Sequence, residues 1–240
     1  MRPDLLAVLG LGATGGSVAW QARQAGVPRV IGWSPSRADG VAALRAGALD
    51  DLTDRADRAV AGAGFVVIAL PFQQTLDLLA RIARRLTPPA VVAVMSGVQV
   101  PLLARAVELG LGDVVAGVHF FGEDAGAGFD AARPDRLRRS LAYVCATGSE
   151  AGHGAAANVI GFLTEALDAD PVLIAAGRHD AQVAWTSHLP RAAAAVLART
   201  LDGQKLGGVS WDAAAREAVR AVPRDAEEWS DLLIANHEEV

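Results

Sequence analysis

The chain has 240 residues, of which 52% are hydrophobic, so it can bury one large core or two smaller ones. Its formal net charge is −5, which excludes the overall positive field that holds nucleic acids or anionic membranes. The single cysteine, Cys145, excludes a disulfide within these residues and a cysteine-based zinc site, and we expect no other metal site. No leader peptide or membrane-spanning run is recognisable, so we expect a soluble, cytoplasmic chain that begins at Met1.

Short apolar runs alternate with longer segments of helical period through about the first 145 residues. This alternation is typical of repeated βαβ units beneath a parallel sheet. The predicted strands are Leu5–Leu9, Arg29–Trp33, Phe65–Leu70, Val91–Met95, Val114–Val118 and Ser140–Cys145. From Glu150 onward the pattern becomes Ala-rich and helical, with Pro171–Ile174 as a weak strand candidate. We therefore predict an α/β protein: an N-terminal, Rossmann-type, doubly wound and mostly parallel sheet over residues 1–148, followed by a smaller all-helical domain over 149–240.

A glycine-rich loop joins the first predicted strand to the first helix. Gly10, Gly12 and Gly15 form a G-x-G-x-x-G pattern with Ala13 and Thr14 between them. Such glycines permit a tight turn, a close approach of backbone to a pyrophosphate, and close packing of helix on strand. A plain glycine turn is the alternative, but the strand before the loop and the helix after it favour dinucleotide binding. We predict that Gly10–Gly15 bind NAD or NADP.

The end of the second predicted strand bears on the choice between these two cofactors. An acidic residue there would bind the ribose 2′-hydroxyl and repel a 2′-phosphate, whereas this chain has Ser34. Arg37 follows and could pair with the phosphate; the alternative is a solvated arginine in a turn. The sequence favours NADP over NAD. Leu70, which ends the third predicted strand, and Pro71, which follows it, are expected to border the same cofactor.

His119 follows another predicted strand, at the carboxyl edge where Rossmann-type sheets bind ligands. Imidazole can accept a proton near neutral pH, so His119 is a candidate catalytic base; a structural histidine is the alternative. Further along, the chain has His179-Asp180 and then Ser187-His188-Leu189-Pro190.

The glycine loop, the strand-end histidine and this later pair of motifs together resemble the prephenate/arogenate dehydrogenase family of tyrosine biosynthesis. The resemblance extends over almost the whole chain. It implies an NAD(P)-dependent oxidative decarboxylation of a cyclohexadienol, with His119 on the substrate 4-hydroxyl. It also implies a homodimer formed through the helical domain, and a small-molecule substrate.

The chain departs from the family pattern at several expected site positions. The family has a serine that hydrogen-bonds the catalytic histidine; Gly97 takes its place, and Ser96 can inherit the role only if the loop shifts. Substrate-binding candidates implied by the resemblance are Asp180, His188, Arg191 and Arg220. Arg191 stands where the family has a histidine, and Arg216 competes with Arg220 as the carboxylate-binding arginine.

Helical geometry constrains the later motifs. At about 100° per residue, Asp180 and Arg191 share a helix face, whereas His179 and His188 point in opposite directions unless Pro190 bends the helix.

Two other functions stay open on sequence grounds. One is a reductase of the β-hydroxyacid or pyrroline-carboxylate type, and the other is a dinucleotide-binding paralogue with altered catalysis.

Overall fold

We describe a computed structural model over residues 2–86, 90–121, 126–203, 212–220, 222 and 226–239. Its centre is an eight-stranded sheet of order β3-β2-β1-β4-β5-β6-β7-β8. Strands β1 to β6 run parallel, β7 is antiparallel to β6, and β8 is parallel to β7. The strands are β1 (Leu5–Leu9), β2 (Arg29–Trp33), β3 (Asp51–Leu52), β4 (Phe65–Ile68), β5 (Val91–Met95), β6 (Val115–Phe120), β7 (Leu141–Ala146) and β8 (Asp170–Leu173).

Helices cover both faces of the sheet. The α-helices of the described residues are α1 (Ala13–Gln24), α2 (Arg37–Arg45), α3 (Ala56–Ala59), α4 (Phe72–Ile82), α5 (Val100–Glu108), α6 (Glu150–Leu167), α7 (Ala176–Val183), α8 (Leu189–Gly203), α9 (Ala213–Ala218) and α10 (Ala226–Ala235). Among the described helices, none combines the length and the apolarity that a bilayer span requires. The α/β class and the mostly parallel sheet predicted from the sequence are confirmed.

The core consists of two apolar layers, one on each face of the sheet. Helices α1 and α6 bury their apolar sides on one face, where the rings of Phe65 and Phe162 stack with centroids 4.5 Å apart. Helices α3, α4 and α5 cover the other face, with Leu79 and Leu102 fully buried. The strands read as continuous apolar runs because both faces are covered.

The sheet extends beyond residue 148, where the sequence predicts the boundary between domains. Helix α6 packs on β6 and β7, and the chain then returns as β8 beside β7. The Ala-rich composition of α6 is typical of a helical domain, but its apolar stripe is buried against the sheet. The mainly helical part of the chain thus begins after β8.

A buried glutamine ties the first helix to distant segments. Gln21 is 4% exposed; its side-chain amide donates to the Leu167 carbonyl (3.0 Å) and its oxygen accepts from the Leu137 backbone N–H (2.9 Å). The two bonds join α1 to the end of α6 and to the segment before β7.

Replacing Gln21 with methionine should lower the free energy of unfolding by about 2–4 kcal/mol, because a buried carbonyl and a buried N–H each lose a partner. Urea denaturation followed by circular dichroism measures the change. Gln24→Met on the exposed side of the same helix is the matched control and should change stability by less than about 0.5 kcal/mol. Equal effects of the two substitutions would contradict this role of Gln21.

Candidate active site

The glycine loop lies tightly against β4 and leaves one side open. Gly10 has φ +93°, and a Cβ there would collide with the Ala69 carbonyl oxygen. A Cβ on Gly12 would meet no atom of the described residues within 4 Å. Helix α1 begins after Gly12 without a side-chain cap, so no capping side chain occupies the first N–H groups of the helix. This backbone cradle fits the pyrophosphate of a dinucleotide.

A crevice of about 380 Å³ opens at the carboxyl edge of the sheet. Most of the residues that line the crevice lie at or just after the ends of four neighbouring strands, β1, β4, β5 and β6. The predicted site residues that line it are Gly12, Ala13, Thr14, Gly15, Leu70, Pro71, Ser96 and His119. The glycine loop and His119 therefore border one common space.

Ser34 and Arg37 lie at the end of β2, beside the glycine loop. Trp33, the last residue of β2, accepts a backbone hydrogen bond from Gly10 at 2.8 Å. Ser34 is half-buried, and Arg37 is exposed at the start of α2. Neither belongs to the walls of the crevice. Their position at the same edge suits contact with the ribose rather than with the nicotinamide.

His119 is held by a chain of hydrogen bonds that leads away from the crevice. Its Nδ1 lies 2.9 Å from His179 Nε2, and His179 Nδ1 lies 2.7 Å from the Asp180 carboxylate. The same carboxylate accepts from the backbone N–H groups of Gln99 and Val100, each at 2.8 Å. Both Asp180 oxygens are thus bonded within the protein, and the residue is 1% exposed. The contact between Asp180 and substrate that the resemblance implies is not available in this geometry.

Burial lowers the pKa of His119 from 6.5 to about 3, with further lowering from His179, His188 and Arg191 and an opposing effect of Asp180. Burial and the Arg191 charge also lower the pKa of His188. Both imidazoles are therefore neutral at pH 7, and a neutral imidazole can accept a proton.

Ser96 borders the crevice, but its hydroxyl bonds locally. It donates to the Val98 carbonyl (2.8 Å) and accepts from the Val98 backbone N–H (3.2 Å), rather than contacting His119. A Cβ on the neighbouring Gly97 would lie 3.8 Å from Leu232, an ordinary contact distance. The loop has not shifted in the way that would let Ser96 take the family serine's role.

The helix after β8 is not uniform, and this changes where the two histidines point. Helix α7 continues into a π-helical turn over Ala184–His188 before α8 begins. The wider turn alters the phase, so His179 and His188 are both buried in one polar cluster. Asn236 donates to the Asp180 carbonyl (3.1 Å) and lies 3.2 Å from His188 Nδ1. The expectation that the two histidines point apart, which assumes a straight α-helix, is therefore wrong.

Arg191 follows Pro190 and has an aromatic neighbour. Its guanidinium lies 4.7 Å from the ring centroid of Trp229 and donates to the Ser187 hydroxyl. Asp180 does not pair with it, and among the described residues Arg191 forms no ion pair. Arg191 is thus a half-buried cation whose charge reaches His119 and His188.

Arg220 and Arg216 lie at the surface near the end of the described chain. The Arg220 side chain is 79% exposed and lies 3.6 Å from Glu217. Arg216 is exposed on α9. The structure therefore does not bring Arg220 to the crevice with His119.

Several residues of the site were not predicted to act there. The sequence shows the His179-Asp180 motif, but nothing in it identifies His179 as the partner of His119. Leu232 in the wall and Asn236 in the polar cluster come from α10 and from just after it. Nothing near them in the sequence signals a site, since their role depends on how α10 packs against α4.

Comparison with known proteins identifies the family. Residues 18–167, well over half of the chain, match the family described as prephenate dehydrogenase, nucleotide-binding domain. Prephenate dehydrogenase from Aquifex aeolicus, solved with hydroxyphenyl propionate and NAD+, superposes with a TM-score of 0.88 at 19% identity, covering 100% of this chain and 84% of that one.

Two further structures share the fold. Synechocystis arogenate dehydrogenase gives a TM-score of 0.79 at 23% identity and covers 98% of this chain and 84% of its own. Mycobacterium tuberculosis 3-hydroxyisobutyrate dehydrogenase gives 0.60 at 19% identity, covering 88% and 68%. No curated protein matches the chain. The chain belongs to the prephenate dehydrogenase family and is an NAD(P)-dependent dehydrogenase.

Proposed function

We propose that the protein oxidatively decarboxylates prephenate or arogenate, with NADP as its preferred oxidant and His119 as its catalytic base. The observation that carries this proposal is the common crevice bordered by the glycine loop and His119. The Aquifex relative was solved with hydroxyphenyl propionate, which carries the phenol ring that such a reaction forms. That complex supports the proposal that the substrate of this chain is a cyclohexadienol.

The proposed reaction is driven by aromatisation. A dinucleotide held by the glycine loop would supply the acceptor for the hydride that leaves the carbinol carbon of the ring. The 4-hydroxyl proton passes to His119 as the carbon–oxygen double bond forms, and the bond to the ring carboxylate then breaks to release carbon dioxide. The electrons of that bond complete the aromatic ring, and the phenolate oxygen recovers the proton from His119. The protein's part is to orient the ring and hold the proton.

His119 is suited to this role by its hydrogen bonding. Because Nδ1 is taken by His179, Nε2 is the nitrogen that remains for substrate. The low pKa of His119 keeps the imidazole unprotonated at neutral pH, so the free enzyme needs no deprotonation before it reacts.

Arg191 is the cation that we propose for a substrate carboxylate. It is half-buried, lacks an acidic partner among the described residues, and is held by stacking on Trp229 and by Ser187. A guanidinium fixed in this way can donate two parallel hydrogen bonds to a carboxylate. Arg220, predicted for the same role, stays the alternative, and His188 contributes by supporting the polar cluster.

The preference for NADP rests on the end of β2. Ser34 leaves no carboxylate to repel a 2′-phosphate, and Arg37 is exposed beside it with its charge available.

We also propose a homodimer through the helical part, since large exposed apolar side chains recur there. They are Trp185, Leu189, Val196, Leu197 and Ile234. A cytoplasmic location stays a prediction from the single cysteine.

A second candidate is a dinucleotide-binding paralogue without this activity. It is favoured by the local bonding of Ser96 and by arginine at position 191. A β-hydroxyacid reductase has less support, because the 3-hydroxyisobutyrate dehydrogenase superposes less well than the prephenate and arogenate dehydrogenases.

Replacing His119 with alanine should lower kcat on prephenate or arogenate by about 100- to 10,000-fold, because the proton acceptor is lost. The Kd for NADP should stay within about twofold of that of the unsubstituted protein, since the glycine loop is intact. Formation of reduced cofactor at 340 nm, about where NADPH absorbs, measures turnover. His153→Ala, at an exposed histidine on α6, is the control. Turnover near the normal rate without His119 would rule out this mechanism.

Arg37→Ala should reduce kcat/KM for NADP by about 10- to 100-fold, because one charge-assisted hydrogen bond to the 2′-phosphate is lost. The same substitution should leave kcat/KM for NAD nearly unchanged. Steady-state kinetics with each cofactor give both values. Arg45→Ala, at an exposed arginine at the other end of α2, should affect neither. Ser34→Asp should reverse the preference. A clear preference for NAD in the unsubstituted protein would refute this assignment.

Neutralising Arg191 as Arg191→Gln should raise KM for the cyclohexadienol by about 10- to 100-fold, the worth of one charge-assisted pair. Arg220→Gln, at an exposed side chain just after α9, should change KM by less than about twofold. Initial rates over a range of substrate concentrations distinguish the two. The reverse order of effects would assign the carboxylate to Arg220.

A further inference from the structure

We propose that His179 and Asp180 are positioning residues that fix both the tautomer and the ring orientation of His119. This inference rests on the proposed role of His119 as the base. It concerns the side of the imidazole that faces away from the crevice, where the hydrogen bonds run from His119 through His179 to Asp180.

The proton positions can be assigned by starting from Asp180, because a carboxylate can only accept hydrogen bonds. An ionised carboxylate only accepts hydrogen bonds, so Asp180 receives the proton on His179 Nδ1. We assign His179 the neutral form, whose single N–H is on Nδ1, so that its Nε2 is an acceptor. His119 Nδ1 must then be the donor across the 2.9 Å contact. His119 Nε2 is consequently unprotonated, which is the state that a base facing a hydroxyl requires.

The first turn of α5 holds the Asp180 end of this series of hydrogen bonds. Asp180 lies 81 residues from Gln99 and 80 from Val100 in sequence, yet its carboxylate accepts hydrogen bonds from both backbone N–H groups. These are N–H groups without partners inside the helix, and the positive end of the helix dipole favours the negative charge. Asn236 bonds the backbone carbonyl of Asp180 as well. The carboxylate is thus fixed from several directions while 1% exposed.

Aromatic rings pack against the two imidazoles and limit their rotation. The ring centroid of Phe121 lies 4.7 Å from that of His119, and that of Tyr143 lies 5.9 Å from that of His179. The two imidazoles meet edge to face with an interplanar angle of 72°. Because Ser96 bonds to Val98 instead, His179 is the polar partner that orients His119 in the described structure.

The inference is tested first on the unsubstituted protein, saturated with NADP. Long-range ¹H–¹⁵N NMR spectra with labelled histidine, assigned with His119→Ala, report which nitrogen of His119 carries the proton. We expect a proton on Nδ1 and none on Nε2. A proton on Nε2 would overturn the inference without any variant of His179.

Two substitutions at position 179 then separate positioning from structure. His179→Gln retains an oxygen near the place of Nε2 that can accept from His119, whereas His179→Leu fills the space without an acceptor. We expect kcat to fall about 100-fold or more in His179→Leu and His119 to lose its single tautomer. His179→Gln should recover most of that kcat and the Nδ1 proton. The Kd for NADP should stay unchanged in both.

Equal kcat values for the two variants, or an unchanged His119 tautomer in His179→Leu, would overturn the inference. Failure of the proposed function gives a different result: the protein would turn over neither prephenate nor arogenate, while the spectra would still report the tautomer of His119.

Discussion

Strands β1 and β4 are neighbours in the sheet although two strands separate them in the chain. The helix after β1 packs on one face of the sheet and the helix after β4 packs on the other. The two connections therefore separate at the carboxyl edge, and a crevice must open between them. The glycine loop follows β1, and Leu70 and Pro71 follow β4, so the crossover alone positions most of the cofactor site. The neighbouring β5 and β6 then place Ser96 and His119 within its reach.

The buried polar cluster behind the crevice joins segments that the sheet does not connect. An isolated buried carboxylate is costly, and Asp180 is tolerated because three hydrogen-bond donors meet it. Gln99 lies over Gly117, where any Cβ would collide with the Gln99 side-chain oxygen. Among the residues that the structure describes, that buried oxygen has no hydrogen-bond partner. Leaving a buried acceptor unpaired costs about 1–3 kcal/mol, and this oxygen lies beside the turn that holds Asp180.

Residue patterns predicted the elements whose structure is determined locally. Leu5–Leu9, Arg29–Trp33 and Val91–Met95 have the predicted bounds, because apolar runs ending at glycine or serine define a buried parallel strand. Strand β6 runs to Phe120 instead of Val118, since pairing with β7 extends the ladder. The two residues of β3 are too few to give a periodic signal. The sequence does not predict the π-helical turn that ends at His188 either, because its residues are compatible with an ordinary helix. Bringing His179, His188 and Asn236 together needed that turn and the packing of α10.

The electrostatics of the site link the proposed base to the proposed carboxylate ligand. Burial is the main cause of the low pKa of His119 and of His188, and the charge of Arg191 lowers both further. A substrate carboxylate paired with Arg191 would offset that positive charge, while burial would continue to hold the pKa of His119 below its ordinary value. Under the proposed function, the bound anionic ring thus removes one of the smaller effects that weaken the base. A histidine at position 191 would carry a charge that varies with pH, whereas arginine keeps this coupling constant across the physiological range.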